Sequence, residues 1–252
     1  MTVAVVRARG YWSPKLGHAR HEWEDGLAYS ERTGRLAVAD GASSSFMAQG
    51  WARRLVAAFV AEPPRTLDHE AFDTWVRALL DDADVEGAAA EPDEATPWYV
   101  TEAAVRGAFA TFLGVEVTDR GPEVAWRCFA VGDSCLLHLR GGDLVRAFPV
   151  ERAEAFGSTP DLVSSVAFAD AHGAQHLQVT TGTAEPGDLL VLVTDGLAAW
   201  ALERGRTDPV VWQALGELDG AHLAQVVDEA RRTGEMVNDD VTLLRARVGA
   251  DR

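Results

Sequence analysis

Two apolar runs in this chain end in the same dipeptide. Leu36-Ala37-Val38-Ala39 runs into Asp40-Gly41, and Leu189-Leu190-Val191-Leu192-Val193-Thr194 runs into Asp195-Gly196. Each run reads as a buried β-strand. Each therefore delivers a carboxylate to the end of a buried strand, which is costly unless a cation meets it. Two such ends, far apart in sequence, suggest a shared ion. The glycine after each aspartate lets the backbone come close, so that its carbonyl also faces that ion. A cage made only of oxygen suits a hard divalent cation, Mg²⁺ or Mn²⁺. Asp-Gly is also the commonest turn dipeptide. The chain has two more, Asp25-Gly26 and Asp219-Gly220, so the residues around each copy must decide its meaning.

The bulk numbers narrow the class. With 252 residues and 47% hydrophobic content, the chain has enough apolar surface for a full core. The formal charge of −16, with no basic patch, argues against nucleic-acid and anionic-membrane partners. Two cysteines, Cys128 and Cys135, exclude a disulfide scaffold and leave too few thiols for a zinc cluster. Both lie in apolar, strand-like sequence and read as buried, reduced thiols. No signal peptide precedes the first strand, and no apolar run approaches the roughly 18 residues of a membrane span. The expectation is a cytoplasmic protein forming one domain over residues 1–252.

Periodicity predicts a strand over 3–8 and a hairpin of 26–30 with 35–39, turning at Arg32-Thr33-Gly34. Ser43, Ser44 and Ser45 offer caps for a helix running to about 61, stopped by Pro63-Pro64. A second helix is expected over 69–80, an exposed linker over 81–97 and a third helix over 98–108. The period then switches to strands at 109–117, 123–131, 135–139 and 144–148, with a hairpin turn at Arg140-Gly141-Gly142-Asp143. Residues 151–173 read as a long loop. Further strands are expected at 175–181, 188–194 and 241–248, and helices at 197–203, 209–218 and 221–233. Strands come in blocks and helices in groups between them, which is an α+β layout with sheet packed on sheet and helices outside.

Five acidic points fall in order along this pattern: Glu24-Asp25 after Arg20, Asp40-Gly41, Gly132-Asp133-Ser134, Asp195-Gly196 and Asn238-Asp239-Asp240-Val241-Thr242. In that order the chain resembles the metal-dependent protein phosphatases of the 2C type, over about residues 18–248. The family's pattern is Arg-x-x-x-Glu-Asp, strand-Asp-Gly, Val-Gly-Asp-Ser, strand-Ser/Thr-Asp-Gly and Asp-Asn/Asp-x-Thr. The resemblance is to compact bacterial members. It implies a four-layer αββα sandwich, two mainly antiparallel sheets flanked by helices. It implies that Asp40 bridges two metal ions and that Gly41 offers its backbone carbonyl. Asp195 and Asp239 complete the second ion's ligands, Glu24 and Asp25 orient metal-bound waters or touch the first ion, and Arg20 holds phosphate oxygens. Asp133, with Asp195, serves a weaker third site. The chemistry is consistent on its own terms: two divalent ions lower the pKa of a shared water and align it with phosphorus, and a guanidinium fork matches phosphate oxygens.

Two positions depart from the family. Ala42 stands where many eukaryotic relatives carry a histidine that protonates the leaving group, which leaves His18, His21 or a metal-bound water for that role. Ala199 stands where an aspartate often helps hold a third ion, so a third ion should bind loosely or not at all. Segment 148–165 takes the place of the family's flap, or is a plain surface loop. Trp23, inside the acidic string, is the one tryptophan expected near the site. Cys128 is no nucleophile, because the Cys-x₅-Arg loop of cysteine phosphatases is absent.

The expected activity is Mn²⁺- or Mg²⁺-dependent hydrolysis of phosphoserine or phosphothreonine in a protein substrate. The alternatives are a phosphatase of a small phosphorylated metabolite and a catalytically silent regulatory domain of the same fold. Oligomeric state is left open.

Overall fold

The computed structural model describes residues 6–43, 45, 47–86, 107–119, 124–166 and 170–249. Two five-stranded sheets lie face to face, and every strand pairing is antiparallel. The first sheet has the order β1-β12-β11-β7-β8, comprising β1 (Val6–Ser13), β12 (Val241–Val248), β11 (Leu189–Val193), β7 (Cys135–Arg140) and β8 (Asp143–Phe148). The second has the order β10-β6-β5-β3-β2, comprising β10 (Gln178–Ala184), β6 (Val124–Val131), β5 (Phe112–Asp119), β3 (Arg35–Ala39) and β2 (Gly26–Ser30). A two-stranded ladder joins β4 (Phe109–Ala110) to β9 (Val163–Ser164). Helices α1 (Ala48–Ala61) and α2 (His69–Glu86) cover the second sheet, and α3 (Asp195–Gly205), α4 (Val210–Glu217) and α5 (Gly220–Thr233) cover the first.

This layering explains the continuous apolar runs. Side chains alternate across a strand, and here both faces are covered. Leu36 and Val38 enter the core between the sheets, while Ala37 and Ala39 pack under α1. Leu190 and Leu192 likewise face the inter-sheet core, and Val191 and Val193 face α3–α5. Each fully buried leucine is worth roughly 2–3 kcal/mol of transfer free energy, so neither strand can slip by one residue without losing both faces. The α1 helix buries Ala48, Trp51, Ala52, Leu55, Val56 and Phe59, a stripe at three- and four-residue spacing. It sits so close to β2 that a Cβ on Gly26 would lie 2.5 Å from the Ala52 carbonyl oxygen.

The four-layer expectation holds, with local corrections. Neither described serine after Gly41 caps α1: Met47 is its N-cap, in the left-handed region at φ 59°, with no side-chain cap bond. The Ser45 hydroxyl is instead occupied by the Ala42 carbonyl and the Phe109 amide, and Ser43 bonds Lys15 and Glu24; Ser44 lies outside the described residues. The α2 helix outruns its expected end at 80, because no Gly or Pro interrupts residues 81–86. The rest of the expected linker, nearly all of the helix expected at 98–108 and residues 3–5 of the first strand lie outside the described residues. Gly107 and Ala108 are not helical. The strand expected at 109–117 is broken at Thr111, and the one expected at 175–181 starts three residues later, after a short 3₁₀ turn over Asp170–His176. Segment 151–173 carries a further 3₁₀ turn and β9.

Candidate metal and phosphate site

The strand registers bring the acidic points to one end of the sandwich. Gly26 pairs with Ala39, Phe112 with Val131, and Cys135 and Leu243 both pair with Val193. The residues just beyond these pairs are Asp25, Asp40, Asp133, Asp195 and the 238–240 turn. Asp40 and Asp195 are half-buried, Asp133 is 7% exposed and Asp25 is fully buried.

These carboxyls act on one another as like charges. Burial pushes Asp25 up to about 7, and the charges of Asp240 and Asp195 add to it against hydrogen bonds from Thr242 and Asp40. Asp40 is pushed well above the usual range by burial, then by Asp25, Asp195 and Asp239. Asp195 is raised by burial and by Asp239, against a bond from the Gly196 amide. Asp133 rises to about 7 through burial and the charge of Asp195. Buried oxygens Asp25 Oδ1 and Asp133 Oδ1 have no hydrogen-bond partner. A group of buried carboxyls that resists ionisation, built from oxygen alone and with oxygens to spare, fits a hard divalent cation. As they stand, no three His, Cys, Asp or Glu side chains among the described residues converge on one ion position, so ligation requires side-chain rotation.

A polar lattice fixes the loops that carry these groups. Thr242 Oγ1 donates to Asp25 Oδ2 at 2.7 Å and accepts from Trp23 Nε1 at 3.2 Å, while its amide donates to Thr194 Oγ1 at 2.9 Å. One threonine thus ties together the Glu24-Asp25, Asp195 and 239–242 segments. Thr111 does the same on the other side: Oγ1 accepts from the Asp40 amide at 3.1 Å and meets Ser134 Oγ at 2.8 Å. Asp240 accepts from the amides of Lys15 (2.8 Å) and Glu24 (2.7 Å). Arg231, its side chain 1% exposed, donates to the carbonyls of Pro14 and Asp239. At Gly41 the backbone is so close to its neighbour that a Cβ would lie 2.6 Å from the Glu24 carbonyl oxygen.

The remaining expected residues lie around this centre. Asp239 is half-exposed, with Oδ1 accepting from the Asp240 amide. Glu24 is held below the usual range; burial opposes this, but Ser43 and Lys15 outweigh it. Arg20 is not drawn into the carboxylates. It is exposed, on a 3₁₀ turn, with its guanidinium 4.7 Å from the Trp12 ring centroid. Trp12 in turn stacks on Trp23 at 4.8 Å. His18 and His21 are both exposed. Segment 148–165 packs Val150, Ala153 and Phe156 on the α3–α5 core and pairs Glu154 with Arg206. It reaches the site at Asp161, whose carbonyl oxygen would be 2.7 Å from a Cβ on Gly132.

Sequence reasoning passed over Lys15, Thr111 and Arg231. Thr111 left a trace, as one polar residue interrupting the apolar run 108–115. Lys15 left a sharper one: it is the only lysine in a chain with 22 arginines.

An antiparallel double sandwich with clustered, cation-demanding carboxylates at its strand ends defines a class of metal-dependent hydrolytic sites. A protein phosphatase 2C family profile matches residues 23–233. The chain belongs to that family, the metal-dependent serine/threonine phosphatases. The matched span holds Glu24, Asp25, Asp40, Gly41, Asp133 and Asp195, and stops short of Arg20 and Asp239. No curated protein matches the chain. Among solved structures, it is similar to PppA, a regulatory component of type VI secretion in Pseudomonas aeruginosa, at 20% identity and TM-score 0.58, covering 98% of this chain and 99% of that one. The Mycobacterium tuberculosis phosphatase PstP/Ppp matches at 19% identity and TM-score 0.61, covering 98% and 100%. A PstP catalytic domain in complex with two manganese ions matches at 20% identity and TM-score 0.59, with the same coverage.

Proposed function

We propose that this chain is a cytoplasmic signalling phosphatase that removes phosphate from serine or threonine of a protein substrate, using two Mn²⁺ or Mg²⁺ ions held by its strand-end carboxylates. The observation that carries the reading is the mutual perturbation of Asp25, Asp40 and Asp195 at one end of the sandwich, with the charge of Asp239 acting on the last two. The two manganese ions of the PstP catalytic domain agree with it.

In this reading Asp40 and the Gly41 carbonyl would help hold the ions, Asp195 and Asp239 would hold the second, and Glu24 and Asp25 would set the hydrogen bonding around the first. Bound ions would supply an activated water and neutralise phosphoryl charge. The chain itself positions. Thr242 orients the Asp25 carboxyl and Thr111 fixes the Asp40 backbone. Arg20, on its Trp12 platform, presents a guanidinium to phosphate oxygens. The thiols take no part: burial pushes Cys135 up to about 12 and Cys128 well above its usual value, so neither offers a thiolate. Two free buried cysteines suit a reducing compartment. Among the described residues no helix is long and apolar enough to cross a membrane, and the net charge of −16 disfavours nucleic acid. We read residues 1–252 as one phosphatase domain.

The test is release of para-nitrophenol from its phosphate with and without Mn²⁺, followed by phosphopeptides against small phosphometabolites. Manganese-dependent hydrolysis, abolished by excess chelator and preferring phosphopeptide, is expected. Full activity in chelator overturns the metal reading, and preference for a metabolite overturns the protein substrate.

A further inference from the structure

The only lysine of this chain stands inside its most acidic site. Lys15 Nζ lies 2.9 Å from Glu24 Oε2, 2.8 Å from Ser43 Oγ and 3.8 Å from Asp239 Oδ1. It is not a loose surface side chain. Its side chain is 14% exposed, and its backbone amide is clamped by Asp240 Oδ1 at 2.8 Å. Asp240 also takes the Glu24 amide, so the lysine and its main acidic partner are fixed to one anchor. Arg231 holds the preceding Pro14 carbonyl and the Asp239 carbonyl from below. Burial pulls the ammonium down, but Glu24, Asp239 and Asp240 outweigh it and keep the group charged.

We propose that Lys15 is a tethered cation that competes with a divalent ion for the Glu24–Asp239 side of the site and so weakens binding there. The proposal rests on the two-ion reading above. An ammonium is a compact, strongly hydrated point charge. It satisfies the same oxygens a hard ion would use, at no cost in association entropy, because it is already attached. An incoming ion must repel it or displace it from Glu24 and Asp239. The other half of the cluster, Asp25, Asp40 and Asp195, has no basic side chain paired with its carboxylates among the described residues; Asp25 is met by Thr242 and Asp195 by the Gly196 amide. The site is therefore electrostatically divided: one half is starved of positive charge and the other is already partly neutralised. Of the two partners of Lys15 only Asp239 is a direct ligand in that reading, so the ion it serves with Asp195 is the one weakened: one ion binds well and the second only at higher concentration.

Lys15→Met and Lys15→Gln remove the charge and keep most of the stem, and Lys15→Arg keeps the charge. Mn²⁺ binding is read by calorimetry and by the electron paramagnetic resonance of free Mn²⁺, so turnover is not needed. The wild type should show a tighter and a weaker class of ion. Both neutral variants should tighten the weaker class by about tenfold or more, the scale of unit-charge repulsion a few ångströms away in a wet site. Lys15→Arg should stay near wild type. In chelator the neutral variants should melt lower than wild type, since Glu24 and Asp239 lose their counter-charge, and should gain more from added Mn²⁺. As the single lysine, Lys15 also gives its own signal after reductive ¹³C-methylation, and that signal should shift on titration with Mg²⁺. Equal Mn²⁺ affinity in all four proteins, or tightening by Lys15→Arg equal to that by Lys15→Met, overturns the role of Lys15 alone. No Mn²⁺ binding by any of them, up to millimolar, overturns the two-ion reading as well.

Discussion

Strand β11 has a buried or half-buried aspartate just beyond each end, and the two live in opposite electrostatic worlds. Asp188, before the strand, is 2% exposed and fully partnered: His138 Nε2 at 2.7 Å, Arg140 Nη2 at 2.8 Å and the Glu185 amide at 2.9 Å all meet Oδ2. Burial would raise its pKa, yet Arg140, Glu185 and His138 hold it below the usual range. Asp195, after the strand, is raised by burial and by its acidic neighbours. The fold therefore satisfies a buried carboxylate where it needs only structure. At the other end it leaves several of them short of positive charge. A stability optimum would not place four interacting carboxyls together, so the strained end is the one that function explains.

The largest effect should come from neutralising each end in turn. Asp40→Asn and Asp195→Asn should lower turnover roughly 100-fold or more by removing a ligand oxygen's charge. In chelator their melting temperatures should match or exceed the wild type, because a like-charge repulsion is relieved. Asp188→Asn should do the reverse. It should cost roughly 2–4 kcal/mol by leaving Arg140 without its counter-charge and His138 Nε2 without its carboxylate partner, while the folded fraction keeps its turnover. Thermal melts with steady-state kinetics on the three variants decide this. Near wild-type turnover in Asp40→Asn at saturating Mn²⁺ would remove Asp40 from the ligand set.

The same dipeptide shows how far sequence could carry the comparison. Asp25-Gly26 and Asp219-Gly220 are alike as text. Asp25 is fully buried in the site, whereas Asp219 caps α5, its Oδ1 accepting from the amides of Ala221 (3.0 Å) and His222 (2.9 Å). The apolar runs, the hairpin at Arg32-Thr33-Gly34 and the closing strand Val241–Val248 were legible because their periodicity is local. The order of the five acidic motifs carried the family. What sequence could not carry was contact across distance. Lys15 meets Asp240 over 225 positions, and Thr111 meets Asp40 over 71. Nothing in either residue's neighbourhood announces such a partner. The serines after Gly41 misled for the opposite reason. Local capping preference is strong, but Glu24, Lys15 and Phe109 claimed Ser43 and Ser45 first.

A smaller, pH-dependent effect sharpens the contrast. Asp25 and Asp133 have folded pKa values of about 7 against an ordinary 3.8, so they bind a proton more tightly folded than unfolded. In chelator, stability should rise as pH falls from about 7 to about 4. Asp188 is shifted the other way, so its contribution is full above 3.8 and is lost as pH falls through its lower folded value. The chelated protein should therefore be most stable near pH 4–5, with the decline on the acid side made shallower in Asp188→Asn, since Glu24, Asp68 and Asp219 are also held low. Saturating Mn²⁺ should reverse the slope above pH 5, because protons then compete with the ion. A melting temperature in chelator that rises steadily from pH 5 to 8 would mean the strand-end carboxyls are not short of charge.

The smallest effect concerns a third ion at the edge of the strained end. Asp133 supplies an unpartnered buried oxygen and feels the charge of Asp195, but two carboxylates, one already shared, hold a hard ion poorly against water. Ala199 lies one helical turn after Asp195 on α3, and residues four apart on a helix share a face. It is half-exposed, so an aspartate there would enter without burying a charge in the core. Ala199→Asp should tighten a third Mn²⁺ about tenfold from a millimolar starting point, read as an added calorimetric phase, with little change in the first two. If the native protein instead binds three ions with similar micromolar affinity, another oxygen must complete the site. The Asp161 carbonyl, which the structure already holds against Gly132, is then the group to examine, because it is the point where segment 148–165 reaches the Asp133 turn.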